Sequence, residues 1–119
     1  MKIGICASNE STDSEVADRF ARAEFFAVYD SETLQFTFYS NTAKFEGSGA
    51  GGKAVKVLGD LDVEVVLVPE LGPKAIDALK IFEIKSYQYK QGKTVREALY
   101  EYFEKKLPEL LESSVKGKH

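Results

Sequence analysis

The sequence predicts an α/β domain of three layers, in which a five-stranded mixed sheet lies between helices. Three observations carry this prediction. Apolar residues alternate with a period of two in residues 2–7 and 33–40, as in β-strands. After residue 48, segments with helical periodicity alternate with short apolar runs. One of these runs, VEVVLVP, is almost continuously apolar, which is typical of a central parallel strand that is covered on both faces.

The first part of the chain predicts a strand and a β-hairpin. Residues 2–7 form a short buried strand, and the polar segment 8–15 is a loop. Residues 16–23 are expected to hold a turn of helix. The aromatic and β-branched residues of 24–30 and 33–40 predict two antiparallel strands joined by a tight turn. We expect this hairpin at one edge of the sheet.

The glycine-rich segment that follows predicts a helix and then the central strand. The helix runs from about residue 49 to Gly59, a residue type that favours a helix C-terminus. Residues 63–69 are the central strand, with Val65 and Leu67 on one face and Val66 and Val68 on the other.

The last elements are a helix, a strand and a further helix. Pro73 suits the first position of the second helix, whose core face is Ala75, Ile76 and Leu79. Residues 83–89 are the final strand, and right-handed crossovers place it and the central strand parallel to the first. Thr94 and Glu97 form a capping box that opens the third helix, which Pro108 ends or kinks; its inward residues are Val95, Ala98, Leu99, Tyr102 and Phe103.

Length and composition describe one ordinary domain without a nucleic-acid or membrane signature. The 119 residues divide into a domain over 1–112 and a polar tail over 113–119, which holds the single histidine, His119. The net charge is −3, and no basic block is present. One cysteine, no apolar span of membrane length and no signal peptide favour the cytoplasm. Abundant Lys and Glu resemble a thermophile composition.

The segment EGSGAGGKAV, residues 46–55, matches the spacing of a nucleotide-binding P-loop but not its chemistry. Ala54 stands where that loop needs the hydroxyl of Ser or Thr for Mg²⁺, and no strand directly precedes Gly47. Two interpretations stay open. The glycines permit a tight entry of the helix against the sheet, or the helix N-terminus offers N–H groups to an anion other than a nucleotide, helped by Lys53.

Three segments, taken together, resemble a known family. VADRFARAEFFAVYD (16–30), GSGAGGKAVKVLGDLDVEVVLVPELGPKAIDAL (47–79) and EIKSYQYKQGKTVREAL (83–99) are similar, in order and spacing, to motifs of the dinitrogenase iron–molybdenum cofactor biosynthesis family, the NifX/NifB-type domain. The resemblance covers residue 1 to about residue 104. It implies a ribonuclease H-like α/β fold and a small module that binds or stores iron–sulfur precursors of the nitrogenase cofactor.

The sequence departs from the family pattern at three positions. Arg19 aligns with the family histidine that would contact a metal cluster, and an arginine only donates hydrogen bonds. Ala21 replaces a glycine, and Glu83 replaces the glycine that ends the second helix. Arg19 would instead pair with an anionic ligand.

The candidate residues form an anion site rather than a catalytic one. Cys6 is the one candidate metal ligand, although a free cysteine is more often a core residue. For each other candidate a structural role is the alternative: a solvated or ion-paired arginine, or a plain connection between strand and helix. No catalytic residue is assigned, because carboxylates are scattered and no Ser-His or Cys-His pair is available. The cofactor-binding candidates are Arg19, Arg22, Gly49, Gly51, Gly52, Lys53 and Gly72.

Because parallel strands end at one side of a sheet, these loops and Glu70 are expected to meet in one concave site for anions. The first hypothesis is therefore a non-enzymatic carrier for an iron–sulfur or iron–molybdenum cluster precursor, which works with iron–sulfur or nitrogenase-like assembly proteins as a monomer or homodimer. The alternative is an interaction or regulatory domain that has the fold without the cofactor. A phosphate-binding enzyme is a weaker third hypothesis.

Overall fold

The computed structural model describes residues 1–113 and contains five strands and three α-helices within them. The predicted tail lies outside this range except for Ser113, and so does His119. In chain order the elements are β1 (Lys2–Ala7), β2 (Phe25–Asp30), β3 (Gln35–Ser40), a 3₁₀-helix (Thr42–Phe45), α1 (Ala50–Asp60), β4 (Val65–Val68), α2 (Pro73–Ile81), β5 (Lys85–Gln88) and α3 (Val95–Phe103).

The strands form one mixed sheet in the order β3-β2-β1-β4-β5. β1 pairs antiparallel with β2 and parallel with β4, and β4 pairs parallel with β5. The hairpin of β2 and β3 therefore occupies one edge, as predicted. These pairings confirm the α/β fold with a five-stranded mixed sheet.

Helices cover both faces of the sheet. On one face α1 lies close to β1, because a Cβ on Gly4 would be 3.1 Å from the Leu58 side chain. α2 packs beside α1 on that face. Tyr29, on the opposite face of the sheet, packs edge-on against Phe103 of α3, with ring centroids 6.0 Å apart. The predicted three layers are therefore present.

The central strand is buried on both faces. Val65, Val66, Leu67 and Val68 are each at most 5% exposed, and strand geometry sends alternate side chains to opposite sides. Burial of this kind stabilises by about 1.5–3 kcal/mol per large aliphatic side chain. The continuous apolar run in the sequence therefore identified the core strand correctly.

Residues 16–23 do not form the predicted turn of helix. Val16 makes a bridge to Ala7, and its N–H donates to the Lys93 carbonyl oxygen at 2.9 Å. The Ala17 N–H donates to the Cys6 carbonyl at 2.9 Å. Backbone groups that are bonded to other segments are not available for a helical ladder, so the segment runs as bends and turns instead.

Two predicted helix ends were also wrong. α1 continues through Gly59 to Asp60, and the left-handed residue after it is Asp62, with φ 59°. α3 ends at Phe103, five residues before Pro108, and Lys105 takes a left-handed φ of 60°. Phe103 is 47% exposed, so it is less inward than predicted.

The chain itself covers the outer edge of β5. The Gln88 N–H donates to the Pro108 carbonyl at 2.9 Å, and the Leu110 N–H donates to the Ser86 carbonyl at 2.8 Å. Residues 108–110 thus act as a short extra strand. None of the described helices is both long and apolar enough to cross a lipid bilayer.

Candidate functional site

A groove of about 600 Å³ opens beyond the carboxyl end of β4. Three separate segments line it: the loop before β2, the first turn of α1, and the connection from β4 into α2. The lining residues are Arg19, Phe20, Ala21, Arg22, Gly51, Glu70, Leu71, Gly72, Pro73, Lys74 and Ala75. Four of the predicted site residues, Arg19, Arg22, Gly51 and Gly72, therefore come together here, as does Glu70.

The segment that carries the two arginines is held by a buried asparagine. The Asn41 side-chain amide donates to the carbonyl oxygens of Ala21 and Ala23, each at 3.0 Å. Its side-chain oxygen accepts from the Ala43 N–H at 3.1 Å and caps the 3₁₀-helix. A buried amide that makes all of these hydrogen bonds holds the arginine segment rigidly in place. Asn41 was missed from the sequence because only the fold brings these partners to it.

Like Lys74, Arg19 is a cation of the groove without an ion pair within residues 1–113. Its side chain is exposed, and it makes no hydrogen bond or ion pair with any of residues 1–113. Glu70 is half-buried in the same groove and likewise has no ion-pair partner in the described part of the chain. Arg19 is therefore available to a ligand, whereas the nearby carboxylate selects against excess negative charge.

Arg22 has a structural task as well as a place on the groove. Its guanidinium donates to the carbonyl oxygens of Lys44 and Glu46, at 2.5 and 2.7 Å. These bonds fix the 3₁₀-helix beside the loop that leads to α1. Arg22 forms no ion pair with the nearby Glu24, which pairs with Lys44 instead.

The N-termini of α1 and α2 meet at the groove. A Cβ on Gly51 would lie 3.4 Å from the Ala75 Cβ, so the two first turns are in van der Waals contact. Neither N-cap residue, Gly49 or Gly72, makes a side-chain capping hydrogen bond. Gly49 has φ 72°, a conformation that glycine adopts readily. The first turn of α1, through Gly51, and the first turn of α2 therefore adjoin each other at the groove.

Three other predicted site residues lie elsewhere. Gly49 and Gly52 do not line the groove, and Lys53 faces a second cavity. The Lys53 ammonium pairs with the Glu46 carboxylate at 3.1 Å. Of the glycine segment only Gly51 lines the groove, and the lysine that lines the groove is Lys74, whereas Lys53 lines the second cavity.

Cys6 is inside the core and outside the groove. It has no exposed surface, and the pKa of its thiol is raised because burial disfavours the thiolate. The neighbouring Tyr89 hydroxyl donates to the Ala17 carbonyl oxygen, and burial also raises its pKa. A protonated, enclosed thiol is a poor metal ligand. Across residues 1–113, no three His, Cys, Asp or Glu side chains cluster so as to hold a metal ion.

The groove can hold a ligand that combines negative charge with a soft or apolar body. Phe20, Leu71 and Pro73 supply apolar wall, and the arginines, Lys74 and the two helix ends supply positive potential at its rim. Sequence reasoning missed Phe20 and Leu71, because apolar residues next to a strand give the same signal whether they line a groove or fill a core.

Comparisons with known proteins agree with this fold. The sequence model of the dinitrogenase iron–molybdenum cofactor family matches residues 1–105. The apo form of the orange protein from Desulfovibrio gigas superposes with a TM-score of 0.92, at 31% identity over 96% of both chains. A Thermotoga protein assigned provisionally to NifB superposes with a TM-score of 0.85, at 33% identity over 98% of both chains. A search of curated proteins finds no significant match.

The family match spans almost all of the described structure, from β1 to just past α3. It includes every segment that lines the groove. The earlier resemblance, built on motifs between residues 16 and 99, is therefore confirmed. The chain belongs to the dinitrogenase iron–molybdenum cofactor family.

Proposed function

We propose that this protein is a non-enzymatic carrier that holds an anionic metal–sulfur precursor of an iron–molybdenum-type cofactor in the groove. One observation carries the proposal: the first turns of α1 and α2, neither of which has a side-chain cap, adjoin each other at a groove that also presents the unpaired Arg19. Helix N-termini favour anions through free N–H groups and the helix dipole. The family supports a cofactor-related cargo.

Such a cargo would be held by charge and hydrogen bonds rather than by metal ligation. The described residues contain no cluster of metal-ligating side chains, and the one thiol is enclosed. Arg19 and Lys74 would face the anion, and the N–H groups at the start of α2 would donate to it. The apolar walls exclude water, which strengthens these interactions. Release of the cargo would then break hydrogen bonds but no coordinate bond between a metal and the protein, which suits a carrier.

The residues that line the groove also support a role without catalysis. The groove holds one carboxylate, Glu70, and no histidine, serine or cysteine among its lining residues. General acid–base or nucleophilic chemistry needs a positioned pair of such groups. We infer that the partners are iron–sulfur or nitrogenase-like assembly proteins that deliver or receive the cargo. We also place the protein in the cytoplasm, where reducing conditions suit an iron–sulfur cargo and an unpaired cysteine.

Anion titration followed by amide NMR tests the proposal. Molybdate and a thiolate-capped iron–sulfur cluster are added anaerobically to the full chain. We expect the amide shifts to concentrate in 19–22, at Gly51 and in 70–75. Arg19→Ala should weaken binding about tenfold, the effect of losing one hydrogen bond to a charged group. Arg96→Ala is the matched control, because Arg96 does not line the groove and its side chain bonds Thr12 and Asp13.

Shifts scattered over the surface, or an equal response of the two arginine variants, would contradict the proposal. The protein would then be better described as an interaction domain that has the fold without the cargo. Calorimetry with Mg²⁺ and ATP tests the enzyme alternative, for which we expect no binding. Micromolar affinity lost in Lys53→Ala would show instead that the glycine segment is a nucleotide site.

A further inference from the structure

The two edge strands of the sheet differ in whether another segment of the chain covers them. The outer edge of β5 is covered by residues 108–110, as described above. The outer edge of β3 is not covered: within residues 1–113, no segment other than β2 forms backbone hydrogen bonds with Gln35–Ser40. In an antiparallel strand, alternate residues point their N–H and C=O groups away from the paired neighbour. β3 therefore presents a row of free backbone groups.

β3 also lacks the features by which proteins usually protect an edge. Its six residues, QFTFYS, include no charge and no proline, and their pairing with β2 runs without a bulge. Charged residues, prolines and bulges are the usual protection against edge-to-edge pairing. Large apolar side chains are exposed at both ends of this stretch: Leu34 is 70% exposed and Tyr39 is 37% exposed.

A second copy of β3 fits this edge in antiparallel register. If a twofold axis passes through Thr37, perpendicular to the sheet, Thr37 lies opposite the partner's Thr37. Phe36 then lies opposite the partner's Phe38 on the face of α3, and Phe38 opposite the partner's Phe36. Within one chain these two rings already stack, with centroids 6.2 Å apart and planes inclined by 21°. Thr–Thr and aromatic pairs are favourable across strands, and no like charges face each other in the paired stretch.

We infer that β3 is a self-association surface, through which two copies of this chain form a ten-stranded sheet about a twofold axis at Thr37. The area of one paired edge is below the roughly 800 Å² per partner of a standard stable interface. The dimer is therefore reversible and forms at higher protein concentration. The groove lies beyond the carboxyl end of β4, so each copy keeps its own groove open.

Sedimentation equilibrium over about 10 µM to 1 mM, the range of weak association, tests this surface. We expect the mass of the wild-type chain to rise from 13.2 kDa toward twice that value. Thr37→Lys places like charges opposite each other and should raise the dissociation constant at least about fivefold. Gln91→Lys adds the same charge to an exposed loop and should associate like the wild type. Circular dichroism checks that both variants are folded.

A mixing experiment tests the register. Thr37→Asp alone should also dissociate, whereas an equal mixture of Thr37→Asp and Thr37→Lys should associate again, because opposite charges then meet at the twofold axis. A wild-type chain that stays monomeric at about 1 mM overturns the inference. So does a Thr37→Lys variant that associates as well as Gln91→Lys, or a mixture that shows no recovery.

Discussion

Gly59 of α1 lies against the ring of Phe82, so that a Cβ at Gly59 would be 2.6 Å from the ring carbon Cδ1. Gly52 of the same helix has open space around the equivalent position. Gly59 and Gly52 therefore have different structural roles. Gly59 permits close packing of α1 against the end of α2, whereas, apart from its chain neighbours and its own helix backbone, no atom of residues 1–113 lies within 4 Å of where a Gly52 Cβ would be.

Alanine substitutions should separate these two cases. Gly52→Ala should raise the free energy of unfolding by about 0.5–1 kcal/mol, because alanine loses less backbone entropy in a helix. Gly59→Ala should be less stable than Gly52→Ala by at least about 1 kcal/mol, because the Phe82 ring must move. Urea unfolding measures both. In a Phe82→Ala background, Gly59→Ala and Gly52→Ala should give equal stability, because the ring that obstructs the Gly59 Cβ is gone. Equal stability of the two single variants would contradict the packing argument.

Glu83 holds a left-handed conformation that suits glycine. Its φ is 59°, at the end of α2 where family members carry glycine, so the replacement keeps the backbone shape and adds strain. Glu83→Gly should therefore stabilise the protein by about 0.5–1 kcal/mol. Glu83→Ala removes the same charge but keeps the Cβ, and should show no such gain in thermal or urea unfolding. An equal gain in both variants would assign the effect to charge instead.

The Cys6 thiol should be protected in the folded protein. It is fully buried, and its raised pKa keeps it protonated at neutral pH. Labelling with a thiol reagent should be at least about 100-fold slower in native buffer than in urea, because reaction needs an opening of the core. Rapid native labelling would show that Cys6 reaches solvent, and would reopen its candidacy as a metal ligand.

The capping box of α3 should make stability depend on pH at the acid end. The Glu97 carboxylate accepts from the Thr94 N–H at 2.9 Å, and that bond, followed by the Thr94 hydroxyl, lowers its pKa from 4.5. Because the pKa of Glu97 is lower in the folded state than in the unfolded chain, the ionised carboxylate contributes to the free energy of unfolding. This contribution is complete above about pH 4.5 and is lost as the pH falls through the lowered pKa of the folded state.

Comparison of the wild type with Glu97→Gln checks this dependence. The glutamine variant keeps a hydrogen-bonding side chain but does not titrate, so the stability difference between the two proteins should shrink as the pH is lowered through this window. NMR titration of the Glu97 carboxyl should give a pKa nearer its ordinary value in Thr94→Ala. A constant difference from pH 6 to pH 3 would mean that the capping box does not titrate.

The sequence carried enough local information to predict most of the architecture. The apolar run that contains Leu67, Pro73 at the start of α2, and the Thr94–Glu97 capping box each act through neighbouring residues, so their meaning does not depend on the rest of the fold. The order of the elements also followed from these local patterns, and the family resemblance agreed with it.

The predictions that were wrong concern residues whose structure depends on partners distant in the sequence. Residues 16–23 lost their predicted helical turn because Cys6 and Lys93 take their backbone hydrogen bonds. Lys53 left the expected site because Glu46 lies beside it, and Arg22 spends its donors on carbonyl groups more than 20 residues away. No local pattern encodes such partners, so the candidate site could be placed at the correct side of the sheet but not outlined residue by residue.

The sheet order divides the chain into two contiguous blocks. β3, β2 and β1 all precede residue 41, whereas β4 and β5 both follow residue 64, and within the described sheet the two blocks of strands pair only where β1 lies beside β4. The glycine segment 47–49 joins them and is exposed. Cleavage there would leave two fragments, each with its own strands. The β1 edge of the first fragment and the β4 edge of the second would be unpaired and could pair with each other again. This protein is therefore suited to fragment complementation, with a groove that is rebuilt only when the halves reassociate.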